Sequence, residues 1–349
     1  MLGVIEGFYG RPWTMCSRRR TIAALHPHGY GFYIYAPKAD SYLRREWRTP
    51  YPERDFGALA GLAEYCQSLG VSFGLGFSPY ALFRNFDQEA RGALAVKLAQ
   101  LRALEPDLFA ILFDDMPGNM PQLAEAQLAI TDAIGQQLPG TKLAFCPTYY
   151  SDDPVLDRAF GRRPADYLDT IGRQLDPSVA IFWTGPEICS HELSPGHVDR
   201  ISEHLRRKPF LWDNYPVNDG PRMSRYLHIR AVTGRTATAT AQLEGHAVNP
   251  SLQPTLTQIP AITLAMAYRD GAKYDYGRAF REAATAVCGP QLADYLSEDL
   301  SLLNDVGLER LSSVETERLR ARYGGIDHDA AREVLGFLNR EYHFEGDMS

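Results

Sequence analysis

The sequence lacks any run of eighteen apolar residues, so no transmembrane helix is expected. It enters an apolar strand pattern at once, without a basic segment leading into a hydrophobic one. No secretory leader is therefore expected, and the cytoplasm is the expected setting. Cysteine is scarce: Cys16, Cys66, Cys146, Cys189 and Cys288 are scattered, odd in number and never in a C-x-x-C pair, which suggests neither a disulfide framework nor a zinc site. The histidines form no H-E-x-x-H motif, and His26-Pro27-His28 reads as a loop. Charge of one sign is lacking too. A formal net charge of -7 is spread along the chain, which recommends neither nucleic acid nor an anionic membrane as partner. Arg18-Arg19-Arg20 is the local exception and reads as the solvated face of a first helix. There is no low-complexity linker and no internal repeat, and no pattern specifies an oligomer.

What is present is a chain of 349 residues, 45% of them hydrophobic, enough to bury one large core and carry an appendage. Apolar runs of strand length recur at 2–8, 31–36, 71–77, 108–113, 142–146, 179–183, 209–212 and 238–248. Between them, residues 56–69, 89–104, 120–137, 165–175 and 198–206 place apolar side chains at helical spacing. This alternation predicts an α/β fold, a (β/α)8 barrel. The seventh unit departs from the pattern. Residues 217–235 contain Gly220, Pro221 and Gly234, which predicts a loop with short helical turns in place of the seventh helix. An eighth barrel helix is expected at 255–268, followed by helices at 276–287, 291–306, 314–322 and 329–342. The expected division is a catalytic barrel over 1–270 and a short helical appendage over 271–349.

The run Phe109-Ala-Ile-Leu-Phe-Asp-Asp-Met116 ends a buried strand in two adjacent carboxylates and breaks at Pro117-Gly118. Burying one carboxylate is costly and burying two is more so, so Asp114 and Asp115 need partners, a turn role or a chemical task. Barrel chemistry gathers at the carboxyl ends of the strands, where the loops converge. Besides the doublet, those exits carry Gly7 and Tyr9, Lys38, Tyr149 and Tyr150, Trp183, Trp212 and Asn214 with Asp219 beyond, and Asn249. Hydrogen-bonding groups interleaved with aromatic faces suit a sugar, which presents hydroxyls to one and an apolar ring face to the other. Each residue also has a structural reading. Gly7 and Gly10 permit a turn, Trp183 and Trp212 fill a barrel, Asn249 before Pro250 opens a turn, and Asp114-Asp115 leads to a helix cap near Asn119.

The motifs Gly3-Val-Ile-Glu-Gly-Phe-Tyr-Gly-Arg-Pro-Trp13, Tyr35-Ala-Pro-Lys38, Leu112-Phe-Asp-Asp115, Phe145-Cys-Pro-Thr148, Trp183-Thr-Gly-Pro186 and Trp212-Asp-Asn214 resemble those of glycoside hydrolase family 84, the O-GlcNAcases and related β-N-acetylglucosaminidases. The resemblance runs in order over about residues 2–270. It implies a retaining hydrolase in which the substrate's own 2-acetamido oxygen attacks the anomeric carbon to give an oxazoline, so that no carboxylate nucleophile, metal or cofactor is needed. The implied substrate is terminal β-linked N-acetylglucosamine on a glycoprotein or a small glycoside. By motif position Asp114 would orient and polarise the acetamido N–H, and Asp115 would serve as general acid and then base. The charge of Asp114 would keep Asp115 protonated for its acid step. Side chains on successive strand residues point to opposite faces, so both can reach one pocket only if the backbone leaves β geometry there.

The same resemblance makes Tyr150 a donor to the acetamide oxygen and Trp212 part of the wall around the acetyl group. Lys38 and the backbone at Gly7 would hold sugar hydroxyls, Asn214 would contact the sugar near the acetamide, and Asp219 and Asn249 would fix the outer hydroxyls. Two positions depart from the family pattern, Tyr149 and Ala39, where an acidic residue or amide is usual. Two alternatives stand beside this reading: a barrel hydrolase of another β-linked amino sugar or a glycosaminoglycan fragment, and a catalytically silent sugar-binding protein.

Overall fold

A computed structural model describes residues 1–343. Eight strands, β1 (Leu2–Glu6), β2 (Tyr30–Tyr35), β3 (Ser72–Phe77), β4 (Leu108–Leu112), β5 (Lys142–Cys146), β6 (Ala180–Trp183), β7 (Phe210–Asp213) and β8 (Gly245–Val248), pair in parallel and in chain order to close a barrel. Helices α1 (Met15–Leu25), α2 (Glu53–Ser68), α3 (Gln88–Arg102), α4 (Leu123–Gln137), α5 (Pro154–Phe160), α6 (Tyr167–Gln174) and α7 (Pro195–Leu205) follow the first six strands. Strands covered on both faces need no polar side, which is why β4 is wholly buried and reads as Leu-Phe-Ala-Ile-Leu.

The expected loop at the seventh unit holds only two single-turn helices, α8 (Gly220–Met223) and α9 (Ala237–Thr240). Helix α9 corrects the reading of 238–248 as one strand. Thr236 Oγ1 accepts from the Ala239 amide and caps a helical turn, so β8 begins only at Gly245. Helix α5 had no counterpart in the periodicity, although Asp153 caps it and Pro154 opens it. Helix α4 starts at Leu123 rather than near residue 120, because Pro121 precedes a left-handed Gln122.

After β8 the chain forms α10 (Gln258–Asp270), α11 (Tyr276–Glu298), α12 (Ser313–Gly324) and α13 (Asp329–Leu338). The expected break between 287 and 291 is a kink inside α11, at Gly289 and Pro290. Residues 344–349 of the expected appendage lie outside the described residues. The appendage grips the segment that stands in for the seventh barrel helix: Leu227 N–H donates to the Leu303 carbonyl, Leu308 N–H to the Arg225 carbonyl, and Ile229 N–H to Asn304 Oδ1. From α13, Glu333 accepts from the Thr255 and Leu256 amides. Burial raises its carboxyl to about 7, against the opposing pull of these amide bonds. Barrel and appendage share one hydrophobic core, which runs from Val4 and Phe77 to Leu319 and Phe337.

Inside the barrel, aromatic rings form a ladder toward the carboxyl ends. Phe32 meets Phe210 edge-on at 5.6 Å, Phe210 meets Phe182 at 4.8 Å, and Phe182 meets Trp212 at 5.4 Å. Gly3 makes the lowest rung possible, since a Cβ there would lie 2.4 Å from the Phe32 ring. Strand alternation sends the intervening residues outward to helices and loops. Glu6 takes a two-point contact from Arg18, at 2.7 Å to each oxygen, and Asp213 takes one from Arg235.

Candidate active site

A cleft of about 460 Å³ opens at the carboxyl ends of the strands. Its inner part is bordered by Asp114, Asp115, Cys146, Tyr150, Phe182 and Trp212, with Gly7, Asn214, Asp219 and Asn249 beside them. Of the residues to which the sequence reading gave a role in the site, Lys38 alone does not border it; Trp183 and Tyr149, also named at the strand exits, lie elsewhere. Lys38 stands behind Asp114, its ammonium on Asp114 Oδ2 and 3.9 Å from Asp115 Oδ2.

Strand β4 ends at Leu112, and the backbone then leaves extended geometry: Asp115 has φ +55°. This left-handed residue resolves the parity conflict, because it turns two successive carboxyls into the same cleft. Their environments differ. Asp114 is nearly enclosed, with its side chain 6% exposed, whereas that of Asp115 is 20% exposed. Asp114 Oδ1 is buried and has no hydrogen-bond partner among the described residues. Asp115 accepts from Tyr150 Oη at 2.9 Å on one oxygen and from Tyr9 Oη at 3.0 Å on the other. Burial, followed by the neighbouring charge of Asp114, holds the Asp115 carboxyl above the usual carboxylate range, against the opposing pull of Lys38 and Arg44.

The rest of the rim is knit by amides. Asn249 Oδ1 accepts from the Gly7 N–H at 3.1 Å, while its Nδ2 donates to Asn214 Oδ1 at 2.9 Å. Asn214 Oδ1 also accepts from Trp212 Nε1 at 3.1 Å, and Asn214 Nδ2 donates to the Ile188 carbonyl. These bonds fix the Trp212 indole against the ends of β1 and β8 and the loop after β6. Asp219 Oδ2 accepts from the Tyr9 N–H at 2.7 Å, and burial raises its carboxyl to about 6. Gly7 lies directly under the indole. A Cβ there would stand 2.3 Å from Trp212 Cζ2. Gly7→Ala is therefore expected to displace Trp212, costing roughly 1–3 kcal/mol of stability. A thermal melt and kcat/KM are the checks, with kcat/KM falling by about tenfold or more as the wall moves.

Two aromatic residues from the strand-exit motifs turn elsewhere. Trp183 points away from the barrel interior, donating from Nε1 to His197 Nε2 at 3.0 Å and stacking on that ring in α7. Tyr149 is also outside the cleft, packed on Tyr167, and its hydroxyl donates to the Gly161 carbonyl at the end of α5. Tyr149 therefore supports the helix beside the cleft and takes no part in the inner wall. Four residues to which the sequence reading gave no role belong to the site: Tyr9, Arg44, Cys146 and Phe182. Tyr9 could have been found by its parity with Gly7 at the exit of β1, and Phe182 by its parity with inward-facing Trp212. Arg44 lies in a loop and gives no such signal.

A closed parallel barrel whose strand exits hold a carboxylate pair under an aromatic wall has the layout of a glycoside hydrolase. The beta-N-acetylglucosaminidase family model matches residues 2–301, reaching past the barrel into α11. The chain belongs to the beta-N-acetylglucosaminidase family. It is 31% identical to protein O-GlcNAcase of Mus musculus over 279 residues and to that of Rattus norvegicus over 282 residues, each match covering 77% of this chain. The chain spans 30% of the length of each of these relatives. A solved O-GlcNAc hydrolase of Thermobaculum terrenum is 27% identical, superposes with a TM-score of 0.80, and is matched over 97% of this chain and 80% of its own. Among the described residues, no helix is long and apolar enough to cross a membrane.

Proposed function

We propose that this chain is a retaining β-N-acetylglucosaminidase that removes terminal β-linked N-acetylglucosamine with the substrate's acetamide as nucleophile. The observation that carries the reading is Asp114 Oδ1, a buried carboxylate oxygen without a partner, adjacent to a second carboxyl held above its usual range. An unsatisfied buried acceptor costs about 1–3 kcal/mol or more and calls for a donor from the ligand. The acetamido N–H is such a donor.

In the first step the acetamide oxygen bonds to the anomeric carbon as the bond to the leaving oxygen breaks, and Asp115 gives its proton to that oxygen. Asp114, ion-paired with Lys38, faces the positive charge that develops on the acetamide nitrogen. In the second step Asp115, now a carboxylate, takes a proton from water. The water oxygen bonds to the anomeric carbon and the ring opens to restore the acetamide, so that configuration is retained. Tyr150, which donates to Asp115 Oδ1, would turn its hydroxyl to the acetamide oxygen of the substrate. Trp212 walls the acetyl group. Asp219 and Asn249 take the outer hydroxyls, with Asn214, the Gly7 backbone and Lys38 completing the assignment.

The outer cleft wall is formed by Val155, Ala159 and Phe160 of α5 with Ile188 and Met223. Such a wall fits an aryl group or the apolar face of a peptide better than a second sugar, and a serine or threonine glycoside in a protein falls within that class. Residues 1–270 act as the catalytic barrel in this proposal and the described residues of 271–349 as its helical support. A cytoplasmic setting fits five cysteines held as free thiols.

The test is a comparison of one aryl leaving group on N-acetyl-β-D-glucosamine and on β-D-glucose. The glucoside lacks the internal nucleophile, and an intramolecular nucleophile is worth about 10⁵ M or more in effective concentration. Turnover of the glucosaminide at least about a thousandfold above that of the glucoside is expected. Comparable rates would overturn the proposal.

A further inference from the structure

The left-handed backbone at Asp115 is an unfavourable conformation for a non-glycine residue, costing about 1–2 kcal/mol, and persists only where its surroundings over-determine it. Those surroundings lead to one side chain. Arg44 Nη2 donates to the Asp115 carbonyl at 3.0 Å and to Tyr9 Oη at 3.3 Å, and Tyr9 Oη in turn donates to Asp115 Oδ2. Arg44 Nη1 donates to Ser78 Oγ at 2.9 Å, anchoring the guanidinium to the exit of β3, and the group lies 5.3 Å from the Tyr80 ring centre. Arg44 is buried, yet its hydrogen bonds go to hydroxyls and a carbonyl, whereas buried Arg18 and Arg235 each grip a carboxylate with two nitrogens. A buried cation whose hydrogen bonds among the described residues reach no carboxylate is costly, and two of those bonds, to the Asp115 carbonyl and to Tyr9 Oη, meet at the turn that aims Asp115.

We propose that Arg44, together with Tyr9, is a positioning residue that locks the left-handed turn at Asp115 and so aims its carboxyl at the leaving-group oxygen. This rests on the acid–base reading above. The groups facing Asp115 are Asp114 from the same loop, Lys38 beyond β2, Arg44 before α2, Tyr9 beyond β1, Cys146 at the end of β5, Tyr150 beyond it and Asp219 beyond β7. Burial and Asp114 push the Asp115 carboxyl up, while Lys38, Arg44 and the Tyr150 bond pull it down. Loss of the Arg44 charge therefore raises it further, and loss of the Tyr9 donor acts in the same direction.

The experiment compares Arg44→Met, Arg44→Lys and Tyr9→Phe with the parent chain on two N-acetyl-β-D-glucosaminides. One carries an activated dinitrophenyl leaving group, the other a simple alkyl group that needs the proton from Asp115. Arg44→Met is expected to lower kcat/KM on the alkyl substrate by about a hundredfold, and on the activated one by less than about tenfold. The alkaline limb of its pH profile moves to higher pH. Arg44→Lys keeps the charge but not the planar fork, so the limb stays while the rate falls. Tyr9→Phe, which removes only a hydroxyl, shows a smaller effect in the same sense and decides the matter if Arg44→Met does not fold.

A readout independent of turnover is the carbon-13 titration of the Asp115 carboxyl, identified by its loss in Asp115→Asn. Its midpoint rises in Arg44→Met and in Tyr9→Phe. Folded Arg44→Met and Tyr9→Phe proteins with an unmoved midpoint, and with both substrates slowed equally, would overturn the proposal. A parent chain that turned over neither glycoside would defeat the hydrolase reading, and the titration would still decide whether Arg44 and Tyr9 govern Asp115.

Discussion

Asp115→Asn is expected to lower kcat/KM on an alkyl N-acetyl-β-D-glucosaminide by about 10²–10⁴-fold, the contribution of a positioned general acid. A dinitrophenyl glycoside, whose leaving group needs little protonation, is expected to lose much less in the first step and to become limited by the second. Asparagine fills the same space and still accepts from Tyr9 or Tyr150 on its one oxygen, so the cleft keeps its shape. The pH dependence carries the sign. Asp115 must be protonated in the first step, and burial with the Asp114 charge raises its carboxyl, so kcat/KM falls as pH rises through that raised value. This limb is absent in the variant.

Stability is expected to move the other way. A carboxyl raised on folding destabilises the folded state increasingly as pH climbs from the unfolded value through the folded one. Near pH 7 Asp115→Asn should therefore melt no lower than the parent. Retention of the alkyl activity within about tenfold would remove Asp115 from the acid role.

Asp114→Asn is expected to lower kcat by about 10²–10³-fold on both substrates, because the charge it removes faces the developing oxazolinium whatever the leaving group. An asparagine oxygen still accepts an N–H, so affinity for the substrate should suffer less than turnover. Two further signs separate this variant from the first. Removing the Asp114 charge lowers the Asp115 carboxyl, so the alkaline limb moves to lower pH. It also leaves Lys38, whose side chain is 2% exposed, without its nearest carboxylate. Breaking one side of a buried ion pair costs about 3–5 kcal/mol, partly offset here because Asp115 Oδ2 lies 3.9 Å from the same ammonium. The expected pattern is slow turnover on both substrates with a lowered melting temperature. Parent-like turnover in a folded Asp114→Asn protein would contradict acetamide assistance.

The barrel was legible because a parallel strand buried on both faces has to be written in apolar residues, and eight such runs in alternation leave few other folds. Where both patterns fit, the sequence misled. Residues 238–248 alternate like a strand, but the Thr236 cap draws the first part into a helical turn. The seven residues of α5 are too few for periodicity to register, despite the Asp153-Pro154 opening. In the cleft, Asp114 and Asp115 stood out because two carboxylates at the end of an apolar run have no cheap structural explanation. Asn214 and Asn249 were visible as amides at strand exits. Lys38 was visible too, but not its place behind Asp114, which depends on which way the loop after β2 turns. The Tyr9–Arg44–Asp115 arrangement was out of reach, since Tyr9 and Asp115 meet across 106 residues and Arg44 and Asp115 across 71. Their contact depends on the register of neighbouring strands and on where the loop after β2 carries Arg44; the parity of the doublet calls for a departure from β geometry but does not name the groups that hold it.

The participating acetamide is tested most directly by turnover of one aryl N-acetyl-β-D-glucosaminide beside its N-trifluoroacetyl analogue, in chelator-treated buffer. Fluorine withdraws electron density from the carbonyl oxygen and leaves the leaving group and the Asp115 proton unchanged. A steep fall in kcat/KM with fluorination is expected if that oxygen attacks the anomeric carbon. Equal turnover of the two substrates would contradict it and require an enzyme nucleophile or a directly attacking water.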